Sequence, residues 1–301
     1  MAHLLTKETY VYSMSAKNEP ALCVESGEKI VVETYDCFLN QIESEKTAYH
    51  AIDWNQINPA TGPVYVEGAE PGDILKVEIK EIELDQEGTM VTGPELGVLG
   101  NEITDFSIKK IQIENGMAAF NENIHFPLRP MIGVIGVAPH EGEVNCGTPG
   151  EHGGNMDTTL ITEGATLYFP VFHEGALFSL GDVHASMGDG EVCVSGVEIP
   201  AKVTVVLNVI KVQTIHTPVV ENQDGFAFIV SKPTLDEAAE GAVKEMVHYL
   251  AKRSGLPVSD VTMLLSAAGD VQVSQIVDPL RTARMFVPKS IVHQLGIKEI
   301  F

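Results

Sequence analysis

Hydrophobic and polar residues alternate in short runs over the first 231 residues, a pattern typical of β-strands. Leu75, Val77 and Ile79 alternate with charged residues, which predicts a half-buried strand. Residues 131–138 are nearly all apolar, as expected for a strand covered on both faces. Further β-like runs occupy residues 192–197, 202–212 and 226–230, with most glycines and prolines between the runs. The pattern predicts a mainly β fold with a jelly-roll or sandwich-like body.

The hydrophobic period becomes helical after residue 233. Thr234 and Glu237 have the spacing of a capping box, and apolar residues then recur every three or four positions until Gly255. Next come a predicted helix over residues 259–268, a strand around 271–273 and a short helix over 288–295. We therefore expect a β-rich body over residues 1–231 that carries the functional site, and an α+β part over residues 232–301 packed on it.

Charge and cysteine content narrow the function classes. The 301 residues include 19 Lys and Arg against 42 Asp and Glu, a net charge of -23. Because phosphates attract basic surfaces, this charge argues against nucleic acids and anionic membranes as partners. Four cysteines without a C-x-x-C pair are too few for a disulfide scaffold and fit a reducing compartment. Without a signal-peptide pattern or a membrane-length apolar run, we expect a cytoplasmic protein.

The first segment with candidate chemistry spans residues 181–191. Asp182 and His184 are two residues apart, so on a strand they share one face and could bind the same metal ion. Asp189 and Glu191 have the same spacing across a glycine-flanked turn. The alternative is a hairpin in which aspartate and glycine only form the turn. Both interpretations stay open from the residues alone.

The second segment spans residues 139–157. Glu141 follows the apolar strand over 131–138, where desolvation would raise its pKa towards that of a general base. The same glycine-rich stretch contains three more polar candidates: His152, Asn155 and Asp157. A solvated loop without function is the alternative, although long loops are often functional.

A third candidate comes from a distant part of the chain. Asp36 follows the strand-like run over residues 30–35 and could add a carboxylate to the same site, or could simply be a turn residue. Cys146 and Cys193 are possible nucleophiles, but neither has a base partner nearby in the sequence. The chain has no G-x-S-x-G elbow, phosphate-binding loop or H-E-x-x-H helix, so those enzyme classes are disfavoured.

The sequence resembles the acetamidase/formamidase family along most of its length. The resemblance is carried by NPATGPVYVEGAEPGD (58–73), RPMIGVIGVAP (129–139), EHGGNMD (151–157), FPVFHEGALFSLGDVHASMGDGE (169–191) and SQIVDP (274–279). It implies a predominantly β fold and hydrolysis of short amides to a carboxylate and ammonia. It also implies a set of site residues: Asp36, His152, Asp157, Asp182, His184, Asp189 and Glu191.

These observations together lead to the hypothesis of a metal-assisted amidohydrolase acting on a small amide. Asp36, Asp182 and His184 are the expected ligands of a divalent metal, with zinc the first choice for mixed nitrogen and oxygen ligation. Glu141, or failing that Glu191, would act as the general base. His152 and Asn155 would stabilise the developing negative charge. The acidic composition also suggests an additional calcium ion.

Two alternatives remain open at this point. One is hydrolysis of a related C–N bond, such as that of a carbamate. The other is a metal-containing β-sandwich binding module without catalysis. Because strands with alternating and two-sided apolar patterns leave sheet edges that need covering, we also expect a homodimer.

Overall fold

The computed structural model describes residues 2–211 and 213–301. Its strands, in chain order, are β1 (His3–Leu5), β2 (Tyr10–Val11), β3 (Ser13–Ser15), β4 (Leu22–Val24), β5 (Lys29–Thr34), β6 (Ala60–Val66), β7 (Ile74–Leu84), β8 (Glu87–Thr92), β9 (Ser107–Glu114), β10 (Met117–Ala119), β11 (His125–Pro127), β12 (Met131–Gly136), β13 (Glu143–Asn145), β14 (Gly153–Asn155), β15 (Thr166–Pro170), β16 (Phe178–His184), β17 (Ala201–Ile210), β18 (Val219–Glu221), β19 (Gly225–Lys232), β20 (Asp270–Gln275) and β21 (Arg281–Pro288). The helices are α1 (Leu235–Ser254), α2 (Val258–Ala268) and α3 (Lys289–Gln294), with a 3₁₀ turn at Tyr49–Ala51.

Two large sheets organise the molecule. The larger has nine strands in the order β1-β5-β17-β7-β15-β18-β19-β21-β20. The second has six strands, ordered β14-β12-β16-β6-β2 with β4 also paired to β6. A four-stranded sheet, β11-β10-β9-β8, and the pair β13-β3 complete the β-structure of the described residues.

The main hydrophobic core lies between the two large sheets. Val77 and Val203 from the nine-stranded sheet belong to the same buried cluster as Val64 and Ile132 from the six-stranded sheet. Opposed sheets that share one apolar layer form a sandwich, because each sheet buries one face against the other. The predicted mainly β fold class, with a sandwich-like body, is confirmed.

The C-terminal part follows the predicted α+β pattern. Thr234 and Glu237 form a capping box at the start of α1, and Gly255 ends the helix in a left-handed conformation. The apolar side chains of Met246 and Leu250 are buried in a second hydrophobic cluster, which also includes Phe228 of β19 and Met285 of β21. A helix packed on the end of the nine-stranded sheet therefore forms this part.

The structure bears on the predicted domain division and on two of the predicted strands. The predicted division between residues 231 and 232 falls inside β19, which pairs with β21, and the two-part division itself stays a prediction. The strand predicted over 192–197 is wrong: Val194 has a φ of 78°, which a strand does not accommodate, and the segment forms turns. The strand predicted over 202–212 is β17, and Val212 lies outside the described residues.

Among the described residues, no helix combines the length and the apolar character that crossing a membrane requires. The expected cytoplasmic location and the expected absence of nucleic-acid and membrane partners stay predictions.

Candidate active site

Neighbouring strands of the six-stranded sheet bring the two polar segments together. Strand β12 pairs with β16 on one side, where Asp182 and His184 lie, and with β14 on the other, where Asn155 lies. Asp157 follows two residues after Asn155. The carboxylates approach each other across Gly133 of β12: a Cβ atom there would lie 2.5 Å from both Asp157 Oδ1 and Asp182 Oδ2. Glycine is therefore required at this position if both carboxylates are to keep their places.

The imidazole of His184 is the centre of the site. Its Nε2 atom lies 3.1 Å from Glu198 Oε2, 3.4 Å from Asp182 Oδ1 and 3.9 Å from Asp157 Oδ1. An oxygen of Glu191 also lies within 4.8 Å of ligand atoms of both His184 and Asp157. Since all five side chains are buried, the interactions among them take place away from bulk water.

Two more carboxylates extend this group. Asp36 Oδ1 accepts hydrogen bonds from the backbone N–H groups of Phe38, at 3.0 Å, and Asn40, at 2.6 Å. The charge of Asp182 contributes to raising the pKa of the Asp36 carboxyl, and the shared role of these two distant residues in one site stays a prediction. Asn155 Nδ2 donates a hydrogen bond of 3.1 Å to Asp278 Oδ2. Asp278 and Asn155 therefore join the buried cluster from the β20–β21 connection and from β14.

We call the following residues the carboxylate cluster: Asp36, Asp157, Asp182, His184, Glu191, Glu198 and Asp278. Burial raises the pKa of Asp36 to about 6. Burial and the neighbouring charge of Asp182 raise the pKa of Asp157 to about 6, and burial raises that of Glu198 to about 8. Burial and the charge of Asp157 raise the pKa values of Glu191 and Asp278 well above their usual range.

Burial acts on the pKa of the His184 imidazole in the opposite sense to its effect on the carboxyl groups. Burial lowers the pKa of His184, but the carboxylates of Glu198 and Asp182 outweigh burial and raise the pKa well above its usual value. A protonated imidazole still supplies only one positive charge to a cluster of six carboxyl groups. Buried carboxylates in such excess are either protonated or neutralised by a cation.

Unpartnered atoms indicate that a cation fits here. Within the described residues, several buried atoms have no well-aligned hydrogen bond: Asp157 Oδ1 and Oδ2, His184 Nδ1 and Nε2, and Glu198 Oε2. The Nε2 and Oε2 atoms lie 3.1 Å apart but are not aligned as a donor and acceptor. Buried polar atoms in folded proteins are normally partnered, so each such atom calls for an explanation. A divalent cation would satisfy carboxylate oxygens and an imidazole nitrogen together, and this donor set is typical of zinc.

The backbone at the cluster is unusual as well. Asp157, Asp182 and Glu191 have φ angles of 41°, 54° and 48°, in the left-handed region that non-glycine residues seldom adopt. Such conformations cost about 1–3 kcal/mol each and concentrate at functional sites. Three of them in one buried cluster support a functional role for the arrangement.

Two predicted catalytic residues lie outside the cluster. The expected burial of Glu141 is wrong: its side chain is 88% exposed, next to His140, because the chain bends into solvent beyond β12. Asp189 is 42% exposed, and its carboxylate pairs with Arg284 Nη2 at 2.6 Å. Neither carboxylate is buried, and burial was the physical reason for expecting Glu141 to act as a base.

The remaining predicted residue, His152, is buried at the start of β14. Its ring lies against Gly150 and Gly154, where an added Cβ would approach the imidazole to about 3 Å. Burial lowers the pKa of His152 to about 4, so the ring is neutral at physiological pH. Its Nε2 atom has no partner among the described residues, which leaves that atom free to contact a small ligand.

The buried thiols do not have the environment of nucleophiles. Burial raises the pKa of Cys146 to about 12, and burial together with Glu198 raises that of Cys37 well above its usual value. Reactive cysteines instead need a stabilised thiolate. Cys146, a possible nucleophile by sequence, therefore has the environment of an unreactive thiol, and Cys193, the other candidate, is only partly buried.

Sequence reasoning missed two members of the cluster, Glu198 and Asp278. Glu198 stands alone among the apolar residues of the stretch VEIP (197–200), and an isolated charge in an apolar run was the available signal. Asp278 lies in one of the segments that carry the family resemblance, SQIVDP, but no spacing to another candidate residue marks it. Both residues face the site only because distant segments fold onto β16.

Comparisons with known proteins find similar sequences and similar solved structures. The model of the Acetamidase/Formamidase family matches residues 17–145 and 142–294. A crystal structure described as a predicted acetamidase/formamidase from Thermoanaerobacter tengcongensis is 50% identical, covers 99% of each chain and has a TM-score of 0.97. An acetamidase structure from Bacillus halodurans is 45% identical, covers 97% of this chain and 99% of its own, and has a TM-score of 0.96.

Two sequence relatives are more distant. A formamidase from Methylophilus methylotrophus is 24% identical over 89% of this chain and 86% of its own length. A Schizosaccharomyces pombe relative with a provisional formamidase name is also 24% identical, over 62% of this chain. The match spans 61% of that relative's length.

Proposed function

We propose, from the premise that this chain belongs to the acetamidase/formamidase family, that it hydrolyses short-chain amides to a carboxylate and ammonia with the help of a divalent cation. One observation carries the metal-assisted part of the proposal. It is the buried imidazole of His184 surrounded by carboxylates, with unpartnered atoms on His184, Asp157 and Glu198.

The donor atoms favour a zinc-like cation. His184 and Asp157 offer one ligand atom each, and Asp182 and Asp36 adjoin them. An oxygen of Glu191 lies within 4.8 Å of both ligand atoms and is left for proton transfer. A divalent cation held there supplies Lewis-acid polarisation of the amide carbonyl and acidifies water. Each candidate cluster among the described residues includes a nitrogen or sulfur donor, which suits zinc better than calcium. The additional calcium ion stays a prediction.

Glu191 is the best candidate for the proton-transfer residue. Its carboxylate is buried beside His184 and Asp157, whereas Glu141 is in solvent. Because burial raises the pKa of Glu191, a proton taken from the attacking water is held firmly enough to be passed to the departing nitrogen. The role of general base, first predicted for Glu141, is therefore assigned to Glu191 in this proposal.

Asn155 and His152 are proposed to contact the amide. The Asn155 side chain is fixed by its hydrogen bond to Asp278, and its Oδ1 atom has no partner among the described residues. Neutral His152 retains one ring N–H, which suits it to donate to the oxygen on which negative charge develops. Fixed donors of this kind stabilise the transition state without reorganising during the reaction.

The closed character of the cluster favours small neutral substrates. Its side chains are at most 8% exposed, so a large substituent on the amide would have to displace packed residues. Formamide and acetamide are the smallest members of the amide class, and they match the names of the relatives. Hydrolysis of a carbamate is the alternative that a substrate comparison decides.

The test is ammonia release by zinc-loaded protein with formamide, acetamide and a simple carbamate. Glu191→Gln is expected to lower kcat by about 10²–10⁴-fold, whereas Glu141→Gln should match the wild type. Faster turnover of the carbamate would replace the amide assignment. No ammonia from any substrate, with folded and metal-loaded protein, would favour the non-catalytic binding module.

We also propose that the protein forms a homodimer. Val98, Leu99 and Val192 are exposed apolar side chains near Glu191, and Val98 N–H donates to the Val192 carbonyl at 2.9 Å, so they adjoin each other. Contiguous exposed apolar surface is typical of association sites. Sedimentation of a 32.5 kDa species at micromolar concentration would contradict the proposal.

A further inference from the structure

A second group of potential ligands lies beside the His184 group. The Sγ atom of Cys37 and one carboxylate oxygen each of Asp182 and Glu198 lie within 4.8 Å of one another, and all three residues are buried. The two groups meet at His184, whose Nε2 is 3.4 Å from Asp182 Oδ1 and 3.1 Å from Glu198 Oε2. A thiol is thus part of the same polar cluster, although the residues on its other side are apolar.

An unpartnered oxygen points to a ligand at this position. Glu198 is only 1% exposed, and among the described residues its Oε2 atom has the His184 Nε2 atom at 3.1 Å but no well-aligned hydrogen bond. The backbone of Glu198 is fixed by two hydrogen bonds with Thr89, of 2.8 and 2.9 Å. The backbone of Glu198 is therefore fixed, and its carboxylate faces a single imidazole that Asp182 and Asp157 share. One imidazole does not balance several buried carboxylates, so a cation is the species that would.

Cys37 is held in place as firmly as Glu198. Its carbonyl accepts the Asn58 N–H at 2.7 Å, and the flanking residues Asp36 and Phe38 are linked by a hydrogen bond of 3.0 Å. A backbone held by hydrogen bonds therefore places the Cys37 thiol beside the carboxylates. A preformed sulfur and oxygen set is suited to cations of the zinc class, whereas calcium and magnesium prefer oxygen alone.

We propose that Cys37 is a thiolate ligand of the metal centre, in a subsite completed by Asp182 and Glu198, and that it makes the centre select zinc-like cations over calcium or magnesium. The proposal rests on the metal-assisted function proposed above. Binding releases the thiol proton to solvent as the sulfur–metal bond forms, and no oxidant or reductant is needed.

Cobalt substitution tests the proposal without measuring activity. Metal-free protein loaded with Co²⁺ should show a near-ultraviolet charge-transfer band from sulfur to cobalt in addition to the visible cobalt bands. Cys37→Ser should lose the charge-transfer band and keep cobalt absorption in the visible. Cys146→Ser is the matched control, because Cys146 is also buried but is outside the ligand group, and it should keep the band.

A second measurement avoids dependence on any variant. X-ray absorption of the zinc-loaded wild type should contain a sulfur shell at about 2.3 Å. Cobalt and zinc binding without a charge-transfer band and without a sulfur shell would overturn the role of Cys37 and leave the proposed function standing. Failure of the folded wild type to bind either cation would instead refute metal assistance, and the role of Cys37 with it.

Discussion

Replacing Asp36 by asparagine should stabilise the metal-free protein at alkaline pH and lower its affinity for a metal ion. Asp36 is almost completely buried, and burial raises its pKa from 3.8 to about 6. Between these two values the unfolded chain has lost the proton that the folded protein still holds. The free energy of unfolding therefore falls as pH rises through this window, and the loss is complete above the folded-state pKa.

The size of the effect follows from the same shift. At 1.36 kcal/mol per pKa unit, the change from 3.8 to about 6 corresponds to roughly 3 kcal/mol at pH 8. Asparagine is uncharged throughout, and its Oδ1 can still accept the N–H groups of Phe38 and Asn40. The gain in unfolding free energy from Asp36→Asn should thus grow from near zero at pH 4 to about 3 kcal/mol at pH 8.

Chemical denaturation of both proteins at pH 4, 6 and 8, after chelation, measures this difference. Asp85→Asn is the matched control, because Asp85 also follows a strand and accepts a backbone N–H but is exposed. With zinc present the order should reverse, since metal binding requires deprotonated ligands and the variant has lost one. A gain that is the same at pH 4 and pH 8 would refute the claim that Asp36 is a desolvated carboxylate.

Three further outcomes are expected. Elemental analysis should find a divalent metal in the purified wild type and in the control His140→Ala, whose ring is exposed, but not in His184→Ala. Full metal occupancy in His184→Ala would remove His184 from the ligand set. Gly133→Ala should lose metal affinity, because its Cβ would lie 2.5 Å from two cluster oxygens, whereas Gly188→Ala, which meets open space, should not. Asp189→Ala should cost about 1 kcal/mol of unfolding free energy in thermal denaturation, by leaving a buried arginine without its carboxylate partner, and an unchanged melting temperature would contradict this.

The sequence predicted elements well where a local signal decides them. The capping box at Thr234 and the left-handed Gly255 define both ends of α1, because both act through bonds within one turn of the helix. The alternating run around Val77 likewise forms β7. The stretch after Glu191 has the composition of a strand but forms turns, because the backbone there turns sharply to place Glu191 next to His184. Tertiary contacts outweigh β-propensity at such a position.

The site was predictable only as far as its residues are close in sequence. Asp182 and His184 share a strand face, so their spacing of two already indicates proximity. Glu198 lies opposite His184 in an isolated antiparallel β-bridge, which forms where the chain passes back along β16. No local sequence pattern predicts this pairing. Glu141 shows the reverse case: its position after a buried strand suggested burial, but the chain leaves the core directly after Pro139.

The arrangement of the cluster implies that stability and function oppose each other in the metal-free protein. Each buried carboxylate with a raised pKa lowers the unfolding free energy at neutral pH, and the left-handed backbones of Asp157, Asp182 and Glu191 add to that cost. The surrounding sandwich must supply the stability that holds them together. A cation that binds only the folded state would restore part of the lost unfolding free energy by mass action. Residues that look destabilising in isolation are therefore the ones that the proposed chemistry requires, which explains why they are found within a well-packed β-sandwich rather than on a mobile loop.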